Sequence, residues 1–251
     1  MEIDETINRW FEETVTQMNA ANKPDEPVYN LCSSILPIAH NYFNATLLLL
    51  NEDKKLPAMA LIRVIAELAF RFQWCVLPNR QNEDVNIRIK RWLKESYKQK
   101  KRRQEKCLHS ANGQQKATIK ADIRRLDSEI DKIPYNSAGD LYGSLESLLC
   151  EQTGDVEITL SWKDHLYPIL YAPFNQAIHP DLVVLSNLIE QSGNQRIFFG
   201  DYTSIDIATL KKHLVSCIYN IIVPTRMVYE LKYEEIKQEY LKINKKHAKE
   251  I

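Results

Sequence analysis

Apolar residues recur along most of this chain three and four positions apart rather than at alternate positions, the period of helices that pack one face against a core. Ile3, Ile7, Trp10, Phe11, Val15 and Met18 fall on one face of a first helix, which the Asn22-Lys23-Pro24 sequence should stop. A second helix is predicted over residues 28–50, with Pro37 removing one backbone donor and kinking it. A third, over residues 57–76, starts with proline in its first turn, where a missing N–H costs little. It is apolar nearly all round, and such a helix belongs in the middle of a bundle.

From residue 85 the pattern thins and basic side chains take over: Lys90, Arg91, Lys94, Lys98, Lys100, Lys101, Arg102, Arg103 and Lys106 crowd one long helical segment. Asn112-Gly113 supplies a reversal, and residues 116–133 return with Ile119, Ile123, Leu126 and Ile130 at helical spacing. The simplest construction is a single helical domain, 1–251, with a helical hairpin inserted at 85–133. Beyond Pro134 the pattern predicts a helix at about 141–150, a connection over 152–158, and a helical segment at 162–179 interrupted by Pro168 and Pro173. Residues 181–201 are ambiguous: a helix reaching residue 190, an extended piece from Arg196, or a strand pair all fit. The closing helix is expected to be capped by Ser204, to line one face with Ile207, Leu210, Leu214, Ile218 and Ile221, and to bend at Pro224 before continuing toward residue 245. With only six glycines in the chain, the expected class is all-α.

Composition sets the bounds. A chain of 251 residues that is 44% apolar can build a real core, which excludes a disordered chain. The 33 basic and 33 acidic residues cancel, so no global charge advertises a nucleic acid or an anionic membrane. The distribution differs: residues 88–125 hold fourteen Lys or Arg against three acids. Such a run is usually a solvated face. The alternatives are a phosphate-backbone contact with nucleic acid, or an acidic partner protein. Five cysteines without a Cys-x-x-Cys pair fit reduced thiols. The acidic start, Met-Glu-Ile-Asp-Glu, is unlike a signal peptide, and the apolar run at 45–50 is too short to span a bilayer, so a cytoplasmic location without membrane contact is expected. No glycine-rich phosphate loop, nucleophile elbow or histidine pair at metal-ligand spacing occurs, so no metal and no other cofactor is expected. Trp74, Trp92 and Trp162 read as core residues.

Two polar constellations stand out. Arg63, Glu67 and Arg71 form a seam at helical spacing in an otherwise apolar segment, where charge is costly to bury without a partner. They read either as an ion pair that fixes helix register or as an arginine held by a carboxylate and aimed at a phosphate. Tyr171, Asn175 and His179 follow at four-residue spacing and would share one helical face. Histidine can move protons near neutral pH, and asparagine can orient it; a histidine beside proline is also a common helix-end hydrogen-bond donor.

Leu61-Ile-Arg63-Val-Ile-Ala-Glu67, the basic hairpin, and then Tyr171, Asn175 and His179-Pro180 resemble a family of uncharacterised bacterial helical proteins, over roughly residues 28–245. That family in turn resembles the HEPN domains (higher eukaryotes and prokaryotes nucleotide-binding). These are all-helical bundles that often dimerise and frequently act as metal-independent RNases in toxin, phage-defence and CRISPR systems. The HEPN hallmark is arginine, a polar residue often asparagine, three more residues, then histidine. Asn175 and His179 match it, whereas Phe174 stands at the arginine position. Arg103 and His109 meet the same outer spacing, which is expected by chance in so charged a segment. The resemblance implies an HEPN-like protein acting on RNA, a homodimer, and control by a partner protein. His179 would be general acid/base, Asn175 its positioner, Arg63 the phosphate contact, Glu67 the residue orienting Arg63, and Tyr171 a hydrogen-bond donor. Lys98, Lys100, Lys101, Arg102 and Arg103 would contact the nucleic acid. The competing expectation is a non-catalytic helical module that recruits a protein or nucleic-acid partner through the hairpin.

Overall fold

A computed structural model of the chain describes residues 3–77, 83–137, 189–192, 195–198 and 205–247. Among them are seven helices: α1 (Ile3–Ala21), α2 (Pro27–Asn51), α3 (Lys55–Val76), α4 (Val85–Leu108), α5 (Gly113–Asp131), α6 (Ile207–Val228) and α7 (Glu234–His247). Strands β1 (Ile189–Ser192) and β2 (Gln195–Phe198) pair antiparallel with Ile189 opposite Phe198. The helical class is as expected, and the strand pair falls in the segment where the apolar period was ambiguous. The helices expected at 141–150 and 162–179, and Trp162 and Cys150, lie outside the described residues. The chain divides into two compact units, residues 1–73 with 157–251, and residues 74–156.

In the first unit α6 packs against α2 and α1, α1 against α2, and α7 against α6. The amphipathic period explains the arrangement. Ile7, Trp10, Phe11 and Met18 of α1 are buried, as are Ile35, Leu36, Ala39, Phe43, Leu47 and Leu50 of α2 and Leu210, Leu214, Ile218 and Ile221 of α6. Each large apolar side chain of this kind contributes roughly 1.5–3 kcal/mol when taken from water. Val15 departs from its expected face: it is 41% exposed, because a helix turns 100° per residue and its neighbour Thr14 takes the inward position. Pro37 and Pro224 both lie inside helices, and Pro57 occupies the first turn of α3.

Two expectations for the closing helix are corrected. Its cap is Asp206 rather than Ser204: the Asp206 carboxylate accepts from the backbone N–H of Thr209 at 2.7 Å and from its hydroxyl at 2.9 Å. These bonds favour the ionised form and hold the Asp206 carboxyl below its ordinary pKa. The helix also stops at Val228 instead of running on toward residue 245. Glu230 adopts φ 58°, Leu231 N–H donates to the Arg226 carbonyl at 2.8 Å, and Glu230 N–H to that of Met227 at 3.1 Å, a left-handed C-terminal cap made without glycine. The same device ends α2, with Asp53 at φ 55° and Lys54 N–H on the Leu49 carbonyl at 2.7 Å.

The turn after α6 is held by a buried arginine. Arg226 is 4% exposed, donates from Nη1 to the Lys232 carbonyl at 2.7 Å and from Nε to Thr14 Oγ1 at 2.8 Å, and lies 3.5 Å from Glu13. Burial lowers its pKa, and the Glu13 carboxylate opposes that shift.

The second unit contains α4 and α5, packed antiparallel. Asp84 caps α4, accepting from Asn86 N–H at 2.8 Å and Ile87 N–H at 3.3 Å. Arg88, 1% exposed, donates to the carbonyls of Trp74 and Leu77 and so covers the end of α3. Arg91 lies 5.1 Å over the Trp74 ring and pairs with Glu83 at 2.8 Å. Trp74 is buried as expected; Trp92 is only half-buried.

Candidate nucleic-acid interface

The α4–α5 hairpin is built by a capping box at its turn. Asn112 Oδ1 accepts from Gln115 N–H at 3.1 Å, and Asn112 N–H donates to Gln115 Oε1 at 3.1 Å. Leu126 is buried between the helices, and Ile119, Ile123 and Ile130 are half-buried. Lysines of α4 then stitch it to the returning chain: Lys94 reaches the Ile133 carbonyl at 2.6 Å, Lys98 the Ser137 hydroxyl at 3.0 Å, and Lys101 the Asp127 carboxylate at 2.5 Å. The bond to Asp127 raises the Lys101 pKa.

The five basic residues expected to meet nucleic acid therefore divide. Lys98 and Lys101 are engaged within the protein, whereas Lys100, Arg102 and Arg103 are exposed and make no ion pair among the described residues. Beyond them the hairpin adds exposed cations that the site prediction did not single out: Lys106 on α4, and Lys116, Lys120 and Arg124 on α5. The four-residue repeat of the last three was a readable signal, since it puts them on one stripe at steps of about 6 Å. Residues 100–125 carry nine Lys or Arg and only two acids, Glu105 and Asp122. Both acids face cations of their own helix, Lys101 at 3.7 Å and Arg125 at 3.5 Å. At the turn lies an open cleft of about 710 Å³ with a mixed lining, in which Gln104, Asn112, Gln114, Gln115 and Thr118 stand beside apolar groups such as Ile119.

The other predicted set is only partly described. Arg63 and Glu67 do meet on α3, at 3.0 Å between Nη2 and Oε1, with side chains 12% and 28% exposed. Such a pair is neither sealed in the core nor open to water. Arg71 continues the stripe, half-buried and without an ion pair among the described residues. Tyr171, Phe174, Asn175 and His179 lie outside the described residues. Among the described residues no cluster of three or more His, Cys, Asp or Glu could hold a metal, and no helix is long and apolar enough to cross a membrane. Cys32, Cys75 and Cys217 are buried and Cys107 is exposed.

Sequence reasoning missed the polar network of the first unit. Arg9 Nη2 donates to both Glu239 oxygens at 2.7 and 2.8 Å, Trp10 Nε1 donates to Glu239 at 2.7 Å, and Arg9 also meets Glu13 at 3.3 Å. Nearby, His40 Nε2 bonds Asn8 Oδ1 at 2.8 Å with its ring 4.5 Å from that of Phe11. These groups join α1 to α7 and α1 to α2, and each partner is consumed by another, which is the pattern of a structural network rather than of a reactive site.

No curated protein and no solved structure matches the chain. A family model does, over residues 29–196, a span that holds the Arg63–Glu67 pair, the whole hairpin and positions 171, 175 and 179. With two-thirds of its length matched, the chain belongs to DUF5677, a family of unknown function.

Proposed function

We propose that this DUF5677 protein is an HEPN-like cytoplasmic protein that acts on RNA as a metal-independent endoribonuclease of the toxin or phage-defence type. The observation that carries the RNA reading is the exposed set of cations at the far end of the hairpin, which have no protein partner among the described residues. Cations that are spent on internal ion pairs cannot neutralise phosphates; these are free to do so, and counterion release then drives binding.

The cleavage reading rests on residue types and on the HEPN resemblance. In this chemistry the ribose 2′-hydroxyl attacks the adjacent phosphorus, the bond from phosphorus to the 5′-oxygen breaks, and the products are a cyclic phosphate and a free 5′-hydroxyl. One proton leaves the 2′-oxygen and one reaches the 5′-oxygen, so an acid/base group is needed, and His179 is the candidate. Asn175 would position its ring and Tyr171 would donate a hydrogen bond to the substrate. Arg63, held by Glu67 at 3.0 Å, would face the phosphate, where a guanidinium stabilises the charge that develops. A homodimer would bring two such sets to one two-fold axis.

Phe174 favours a second reading, a non-catalytic module that binds RNA or a regulatory protein through the hairpin, because the HEPN arginine is absent at that position. One experiment separates them. A mixed RNA pool is incubated in EDTA with wild type and with His179→Ala, and binding is followed in parallel by gel shift. Cleavage that disappears with His179 while binding persists supports the nuclease. Binding without cleavage by either protein leaves the module, and absence of both sinks the RNA reading.

A further inference from the structure

We propose that the far end of the α4–α5 hairpin recognises double-helical RNA through its phosphate and ribose backbone, without reading base sequence. The inference rests on the RNA reading above and narrows it to a substrate class. Between residues 98 and 134 there is no Phe, Tyr or Trp, although the chain as a whole carries seven, twelve and four of them. Proteins that hold single strands stack successive bases on aromatic rings set in a basic groove. This surface has the charge without the rings.

What it offers instead suits a backbone. Lys116, Lys120 and Arg124 form an exposed row along one stripe of α5, while Lys100, Arg102, Arg103 and Lys106 stand exposed on α4. Between the two helices the turn opens into the cleft of about 710 Å³, where amide and hydroxyl groups of Gln104, Asn112, Gln114, Gln115 and Thr118 stand beside apolar groups such as Ile119. Gln104 and Gln114, whose side-chain amides take no part in the capping box, both donate and accept and so match ribose 2′-hydroxyls, which an A-form duplex displays in its wide, shallow minor groove and DNA lacks. The arm is also pre-organised. The Asn112–Gln115 capping box fixes the turn, and the Lys101–Asp127 bridge at 2.5 Å ties the helices behind it, so little ordering is left to be done on binding.

The test is fluorescence anisotropy with the full-length protein and four labelled probes: two RNA duplexes of about 20 base pairs with unrelated sequences, a DNA duplex of the same length, and single-stranded oligouridine. Both RNA duplexes should bind alike and about tenfold more tightly than the other probes, with affinity falling steeply as salt rises. The triple variant Lys116→Gln, Lys120→Gln, Arg124→Gln should lose at least about tenfold and flatten the salt dependence by about two to three counterions. Gln114→Ala with Thr118→Ala should leave that salt dependence alone and bring the RNA and DNA duplexes closer together. All these positions are exposed, and circular dichroism checks that the variants are folded. Tighter binding of oligouridine, or equal binding of the DNA duplex, overturns this inference while the RNA-binding reading stands. Binding of none of the probes overturns both.

Discussion

Replacing Glu239 isolates what attaches α7 to the rest of its unit. Its carboxylate accepts from Arg9 through both oxygens, at 2.7 and 2.8 Å, and from the indole N–H of Trp10 at 2.7 Å. The two donors differ in what they lose. Trp10 is fully buried, so in Glu239→Ala its N–H is left without an acceptor, a loss of about 1–3 kcal/mol. Arg9 is 33% exposed and can turn to water, so the broken ion pair adds only about 0–1 kcal/mol. Glu239→Ala should therefore destabilise by about 1–4 kcal/mol. Glu239→Gln keeps an oxygen for the indole and loses only charge, so it should cost about 0.5–1 kcal/mol. Urea unfolding followed by tryptophan fluorescence and far-ultraviolet circular dichroism gives both values from the midpoints at constant slope. Hydrogen exchange should show the amides of α7 opening first in the alanine variant. If glutamine proves as damaging as alanine, charge rather than the indole acceptor holds the helix; if alanine costs under about 0.5 kcal/mol, α7 does not depend on this contact.

Two further outcomes follow from buried titratable groups. Burial on α6 pushes the His213 pKa down to about 4 from an ordinary 6.5. The folded protein thus binds that proton more weakly than the unfolded chain. Its stabilising contribution is complete above pH 6.5 and is lost as pH falls toward 4, by at most about 3 kcal/mol. Urea midpoints between about pH 4.5 and 7.5 should slope more steeply in wild type than in His213→Gln; parallel slopes would refute the assignment. Cys32 and Cys217 are pushed up to about 12 by burial, whereas Cys107 is exposed. Brief iodoacetamide labelling of the native protein, mapped by peptide mass, should modify Cys107 well before Cys32 or Cys217, and equal rates would show that the core opens on the labelling timescale.

The helices were legible in the sequence because each carries its own period. Ile7, Trp10, Phe11 and Met18, or Leu210, Leu214, Ile218 and Ile221, need only local spacing to declare an inward face, and they are buried. The hairpin turn was legible for the same reason, since Asn112 and Gln115 act on each other across three residues. Less of the ends could be read. Asp206 and Ser204 are both good caps by type, and the spacing of Leu210 and Leu214, which fixes the inward face, does not choose between them. The break after Val228 was hidden because Glu230 in a left-handed conformation carries none of glycine's signature, and Lys232 and Lys237 continue a plausible helical surface.

The arginines and lysines show why candidate sites are harder to read than folds. By residue type alone, Arg9, Arg88, Arg226, Lys101 and Arg103 are equal candidates for a phosphate. Arg9 is spent on Glu239, 230 positions away in sequence; Arg88 is spent on the last carbonyls around α3; Arg226 on Thr14 and the Lys232 carbonyl; Lys101 on Asp127. None of these partners lies within a window that a helical period would connect, except by accident of fold. Setting these aside, the exposed Lys100, Arg102, Arg103, Lys106, Lys116, Lys120 and Arg124 stand together within one hairpin, while other exposed cations such as Lys54, Lys232, Lys237 and Lys242 lie elsewhere and less densely. The charge that the whole chain cancels to zero is thus not evenly discharged. Internal pairing removes several of the other cations from contention, and the hairpin's end keeps a dense exposed set with only two acids between residues 100 and 125.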